Sequence, residues 1–136
     1  MLVDGAGVPL SLVVTGANRH DVSQLEVMLD SIVIERPDIF EYPQHLCLDK
    51  GYTGEPALEI VVLRGFIPHI KSRVEERTEG KSNPEHKARR WVVEVTHSWM
   101  NRFRKLLVRF EKLASSYLGL VMFACAFIAF RKADVI

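Results

Sequence analysis

The chain has 136 residues, 48% hydrophobic and 26% charged, with 18 Lys and Arg against 17 Asp and Glu. That length accommodates one domain with a sizeable core and no second independent one, and the composition excludes collagen-like, low-complexity and disordered classes. Cys47 and Cys125 lie in separate apolar runs without a CxxC or Cys/His cluster, which disfavours a disulfide framework or zinc site and points to a reducing, cytoplasmic compartment. The opening MLVDGAGVPL shows no secretory pattern of a basic stretch followed by an apolar one.

The net charge of +1 is a cancellation. Residues 1–63 carry three basic and ten acidic side chains, a net −7, whereas residues 64–109 carry twelve basic and five acidic, a net +7. The second segment is dense enough in cations to face a polyanion.

In chain order, Leu2-Val3, the turn Asp4-Gly5-Ala6-Gly7 and the run Val8 to Thr15 predict a β-hairpin. Asn18-Arg19-His20 reads as a polar loop. Asp21 with Gln24 forms a capping-box pattern for a helix over about Val22–Glu35, whose apolar positions Val22, Leu25, Met28, Leu29 and Ile32 recur at helical spacing. Pro37 and Pro43 bracket a loop, and His45–Asp49 is a short apolar strand ending on a carboxylate. The turn-rich KGYTG leads to an amphipathic helix, Glu55–Arg64, closed by Gly65, and Phe66–Ile70 is a second strand. This β-β-α-β-α-β order predicts an α/β fold.

Residues 71–90 are charged and punctuated by Gly and Pro, and read as a mobile basic loop. From Trp91 a helix is expected, with Trp91, Val92, Val95, Trp99, Phe103, Leu106 and Phe110 on one stripe. Arg90, Glu94, Ser98, Asn101 and Lys105 lie on a separate polar face. Leu113–Phe130 has no formal charge over eighteen residues, at the lower limit for a membrane span. Ser115, Ser116 and Gly119 dilute it, and the favoured reading is a helix buried against the sheet, with no membrane partner. The domain scheme is 1–70 (hairpin, helix, strand-helix-strand), 71–90 (basic loop) and 91–132 (helical part).

Asp49 and Glu94 are the candidate chemistry. Carboxylates at strand ends of open α/β sheets tend to face the ligand crevice, and such hard oxygen donors hold Mg²⁺ or Mn²⁺. Equally, Asp49 can cap the turn after it and Glu94 can pair with Arg90 one helical turn away. Two acidic residues 45 apart carry little specificity, and spacing alone leaves both readings open. The cations of 71–109, interleaved with Trp91, Trp99 and Phe103, suit a DNA backbone; the aromatics are expected in the core and the cations on phosphates, without a base reader. His20, His45, His69, His86 and His97 show no pairing at metal-ligand spacing, and His97 is expected to be structural or DNA-proximal. Tyr52 lacks the Arg/His pattern of a tyrosine recombinase nucleophile.

Three segments carry a family resemblance. RRWVVEVTHSWMNRFRKLLVRFEK (89–112) resembles the C-terminal signature of bacterial insertion-sequence DDE transposases of the insertion-sequence-five-like group. LDKGYTG (48–54) resembles the block around that family's second catalytic aspartate, and VDGAGVPLSLVVTGANRHDVSQ (3–24) resembles the hairpin and helix start before it. The resemblance implies an RNase H-like mixed sheet with flanking helices, lacking its first strand, and two C-terminal helices. It implies metal-dependent cleavage and strand transfer at transposon-end DNA. Asp49 and Glu94 match the second and third catalytic, metal-binding acidic residues. Arg90, with Arg89, Lys50, Asn101, Arg104 and Lys105, would contact DNA. Asn101 stands where related groups often carry a lysine, a charge Arg104 or Lys105 can supply; His86 and Lys87 fall where a tyrosine is frequent, and Val95 where an arginine is usual.

The family's first aspartate lies upstream of the hairpin, and Asp4, in a DGAG turn, suits turn chemistry instead. The chain is therefore expected to be the carboxy-terminal part of a transposase, inactive alone, with a possible homo-oligomer or upstream reading-frame product as partner. The alternative is a non-catalytic DNA-binding or inhibitory fragment that competes with intact transposase.

Overall fold

The computed structural model describes residues 1–16, 20–70 and 91–133. The expected loop 71–90, with Arg89 and Arg90, and Arg19 of the polar loop lie outside the described residues. Contacts divide the chain into two units, Met1–Gly16 with Trp91–Ile136, and Ala17–Arg90.

In the first unit, β1 (Leu2–Val3) pairs antiparallel with β2 (Pro9–Ser11). Asp4 makes the turn: its Oδ1 accepts from the N–H groups of Ala6 and Val8, both at 2.8 Å. One short oxygen thereby satisfies two donors that the hairpin tip would leave to water. Gly7 follows at φ +87°, where only glycine is unstrained. Its carbonyl accepts from the Thr96 hydroxyl at 2.8 Å, and a Cβ on Gly7 would stand 3.0 Å from Thr96 Oγ1 and 3.1 Å from the Trp99 ring.

Thr96 belongs to α3 (Trp91–Met100), followed by the single turn α4 (Arg104–Leu107) and the long α5 (Ala114–Lys132). The expected helix from Trp91 to Phe110 stops at Met100. The N–H of Asn101 still bonds His97 O, but Arg102 and Phe103 turn back on Trp99 and Met100 with shorter-range bonds, and Phe103 is extended at φ −83° and ψ 103°. The stripe is correspondingly cut. Val92, Thr96 and Met100 are buried, Trp99 and Phe103 are half-buried, and Trp91 and Phe110 are exposed rather than in the core. Met100, Val121 and Ile128 centre this core, and Phe103 meets Phe127 edge-on at 5.8 Å between ring centroids.

α5 corrects another expectation. It is apolar all round, so one face packs through Val121, Ala124 and Ile128 while Met122, Phe123, Phe127 and Phe130 remain exposed. By length and composition it could cross a membrane, the same test a core helix passes.

In the second unit, a 3₁₀ turn (Asp21–Gln24) runs into α1 (Leu25–Asp30), shorter than the expected helix over 22–35. The N-cap is His20, one residue ahead of the expected Asp21 and with no side-chain cap bond. The strands β3 (Gln44–Leu48) and β4 (Phe66–Ile70) pair in parallel from Gln44↔Phe66 to Leu48↔Ile70, joined by α2 (Glu55–Leu63). Parallel neighbours need such a crossover, and α2 supplies it. Leu25 and Leu29 of α1, Leu46 of β3 and Ala57 and Val61 of α2 are buried. Among the described residues the strands form two two-stranded sheets, so α/β is correct and one mixed sheet is not formed within them.

Two arginines and a glycine hold this unit. Arg64 Nε bonds Asp30 at 2.6 Å and its Nη2 reaches Glu26 at 2.8 Å, joining α2 to α1 and holding the Asp30 carboxyl below its ordinary range. Arg36 donates to Gln44 Oε1 at 2.8 Å and to the Arg64 carbonyl at 2.6 Å, and stacks 3.8 Å from the Phe66 ring. Gly65 ends α2 at φ +72°, with Ile39 Cδ1 only 2.8 Å from where a Cβ would be.

Gly65→Ala is therefore expected to destabilise the protein by about 1–3 kcal/mol, the scale of a side chain forced into left-handed backbone, read as a lower urea midpoint with unchanged slope. Thr96→Val, which removes the donor to the buried Gly7 carbonyl, should cost about 1–3 kcal/mol in the same measurement.

Candidate metal-carboxylate and DNA-contact residues

Asp49 follows the last residue of β3 and caps the 3₁₀ turn Lys50–Tyr52, accepting from the Gly51 N–H at 2.8 Å through Oδ1. Gly51 permits this fold-back, because a Cβ there would stand 3.0 Å from that oxygen. The turn closes with Thr53 Oγ1 donating to the Lys50 carbonyl at 2.9 Å. Asp49 and Lys50 are exposed. The turn-capping reading is thus realised, and it occupies one of the two carboxylate oxygens; Oδ2 has no hydrogen-bond partner among the described residues.

Glu94 lies in the first turn of α3, exposed, without an ion pair among the described residues. It projects from the side opposite Val92, Thr96 and Met100, and Ser98 and Asn101 are exposed with it, as the spacing predicts. The pairing partner considered for Glu94, Arg90, is outside the described residues, as is Arg89. Arg104 and Lys105 are exposed on α4, beyond the break after Met100, so the expected polar face does not continue through Lys105 as one helix. Desolvation pushes the His97 imidazole below its ordinary pKa, favouring the neutral ring near pH 7. Asp49 and Glu94 belong to different units, and the described residues hold no group of three or more His, Cys, Asp or Glu side chains able to share one metal ion.

The histidines hold a pair that the sequence reading missed. His45 Nδ1 and His69 Nε2 stand 2.7 Å apart. The two are 24 positions apart in sequence, and only the parallel register, which sets Cys47 beside His69, brings β3 and β4 histidines onto one face.

Residues 46–131, a span holding both Asp49 and Glu94, match the transposase DDE domain. The chain belongs to that family. It is also 33% identical over 144 residues to the protein named "Putative transposase for insertion sequence element IS402" of Burkholderia cepacia, with 98% of this chain and 64% of that protein aligned. The chain thus spans about two-thirds of the length of this relative. No solved structure matches it.

In this DDE transposase domain the capping and charge roles of Asp49 are separable. Asp49→Asn keeps an oxygen for the Gly51 N–H and should leave stability within about 0.5 kcal/mol of the parent, while Asp49→Ala should lose about 0.5–2 kcal/mol with the cap. Thermal and urea unfolding of the two variants check the ordering.

Proposed function

We propose that residues 1–136 form the carboxy-terminal part of an RNase H-like DDE transposase catalytic domain, in which Asp49 and Glu94 hold Mg²⁺ or Mn²⁺ for cleavage and strand transfer at transposon-end DNA. The observation that carries the reading is the family match across 46–131, which spans the strand-end Asp49 and the helix-borne Glu94. The donor chemistry fits. Asp49 presents Oδ2 while Gly51 fixes Oδ1, and Glu94 is an exposed carboxylate; Mg²⁺ typically takes one or two carboxylates and keeps several waters.

When bound, the ions supply activation of a water or 3′-hydroxyl and steady the leaving oxygen of the phosphodiester. The chain's own residues do the rest. The Gly51 N–H orients the Asp49 carboxylate, and the buried Val92, Thr96 and Met100 fix the rotation of α3 so that Glu94 faces outward. In the intact site Arg90, which lies outside the described residues with Arg89, would orient Glu94 and offset phosphate charge, while Arg89, Lys50, Asn101, Arg104 and Lys105 would hold the DNA backbone. Such contacts position DNA without reading its sequence. Asp4 spends Oδ1 on the Ala6 and Val8 N–H groups, which supports assigning the family's first aspartate to polypeptide outside residues 1–136. An upstream reading-frame product would supply it, in the cytoplasm; a homo-oligomer, whose copies all lack that aspartate, would be a partner without supplying it.

The test uses terminal-repeat DNA of the element that encodes the chain. The 136-residue protein should bind that DNA in a salt-sensitive manner and leave it uncut in Mg²⁺. Joined to the upstream polypeptide, it should nick and join the ends, and Glu94→Gln or Asp49→Asn should lower that activity by about 100-fold or more, the scale of removing a group that stabilises transition-state charge. Full activity in either variant overturns the assignment. DNA binding without cutting, even with the upstream polypeptide present, would support a competing, non-catalytic fragment instead.

A further inference from the structure

The imidazoles of His45 and His69 meet edge to edge across two parallel strands. Their facing nitrogens, Nδ1 and Nε2, are 2.7 Å apart, and the rings lie 4.9 Å between centroids at a 40° tilt. His45 is exposed and His69 half-buried, so an ion can reach the pair from solvent while the sheet holds the rings in place. The strands are in unbroken register over five residue pairs, which limits how far the nitrogens can separate.

Two nitrogens bound to one late first-row metal at about 2.0–2.1 Å are about 2.9 Å apart at a right angle and about 3.3 Å apart at a tetrahedral one. The observed separation is about 0.2 Å short of the first geometry and about 0.6 Å short of the second, and each ring must also turn about its side-chain torsions so that its lone pair leaves the N···N line and points to the shared ion. The right-angled arrangement belongs to tetragonal Cu²⁺ and Ni²⁺, and imidazole donors suit these ions far better than Mg²⁺. We propose that His45 and His69 form a two-imidazole binding site for a late first-row divalent cation, Cu²⁺ or Ni²⁺ before Zn²⁺, that clips β3 to β4. Among the described residues no third His, Cys, Asp or Glu side chain joins the pair on one ion. Binding replaces the hydrogen bond between the facing nitrogens, which must both be unprotonated to ligate the ion.

The clip is separate from the carboxylate chemistry. Asp49 lies four residues beyond His45, about 13 Å along an extended strand, and its oxygen donors select hard ions. The site acts on the βαβ unit: an ion that binds only when the two strands are paired stabilises that pairing by mass action.

The test uses the full 136-residue chain, purified without a histidine tag, titrated with Cu²⁺ and with Ni²⁺. One equivalent of Cu²⁺ should bind with the electron paramagnetic resonance signature of two coordinated imidazole nitrogens, and one equivalent of either ion should raise the melting temperature. His45→Ala and His69→Ala should each weaken that affinity by about tenfold or more, since even a partner outside the ligand set is worth 10–100-fold. Cys47→Ser should bind like the parent. In the parent itself, substoichiometric Cu²⁺ should broaden the NMR signals of His45 and His69 before those of His20, His86 and His97, a readout independent of whether a variant folds. Broadening of all five histidines together, or single variants that bind as tightly as the parent, overturns the site. Excess Mg²⁺ should leave both the melting shift and the histidine signals unchanged; competition by Mg²⁺ would mean that the cation sits on carboxylates and would also overturn it.

Discussion

The hydrogen bond from Thr96 to the Gly7 carbonyl is the contact on which the arrangement of the first unit turns. Thr96 is fully buried, and its hydroxyl also reaches the Val92 carbonyl of its own helix at 3.2 Å. A buried carbonyl without a partner costs more than a hydrogen bond gains, so the hairpin tip can lie against α3 only where that hydroxyl is present. The approach also requires Gly7 to lack a side chain, since both Thr96 and Trp99 would meet one. Asp4, by tying down Ala6 and Val8, shapes the tip that carries Gly7 to this contact. The rotation of α3 is fixed in consequence, and the exposed position of Glu94 is the other face of the same fact.

The second unit solves a similar problem with charge. Parallel strands of five residues are too short to be stable alone, and the ends of α2 and β4 would leave carbonyls unpaired. Arg36 caps the Arg64 carbonyl, bonds Gln44 at the start of β3 and covers Phe66 at the start of β4. Burial lowers the Arg36 pKa, yet a guanidinium stays protonated under any ordinary condition, so the cap is permanent. With both strand starts held, the carboxyl end of β3 delivers Asp49 to its turn at a defined height. The guanidinium at one end of the strand and the glycine-bonded carboxylate at the other are linked by five residues in register.

Local chemistry was the legible part of the sequence. The strands at 44–48 and 66–70, the helix from Glu55 closed by Gly65, and the turn role of Asp4 follow from short-range patterns, and the structure reproduces them within one residue. What failed was persistence. The apolar spacing from Trp91 to Phe110 fits a single helix, but the chain turns at Asn101–Phe103 so that Phe103 and Leu106 can pack with Tyr117 and Cys125 on the core of α5, a gain that periodicity does not encode. The 22–35 helix likewise stops at Asp30, where the Ser31 hydroxyl takes the Val27 carbonyl at 2.6 Å and competes with continued helix. The histidine pair was invisible for another reason: it depends on strand register, and no spacing along one strand reports the neighbour's offset.

Charge and burial together explain how a nearly neutral chain can present a locally basic surface. A phosphate in solution responds to charges within a Debye length, about 8 Å at physiological salt, and not to the sum over 136 residues. Four of the described cations past α3, Arg102, Arg104, Lys105 and Arg109, are exposed and follow within nine residues of Met100. Of these four Arg109 is partly committed, lying 4.9 Å from the Tyr117 ring and bonding the Glu111 carbonyl, and farther along Lys132 lies 4.6 Å from the Trp99 ring. Arg64 and Arg36 have the opposite fate, drawn into carboxylates, carbonyls and an aromatic ring. Among the described residues two populations of arginine therefore coexist: Arg36 and Arg64, ahead of β4, neutralise and cap the fold, and Arg102 and Arg104, after α3, keep their charge on the surface.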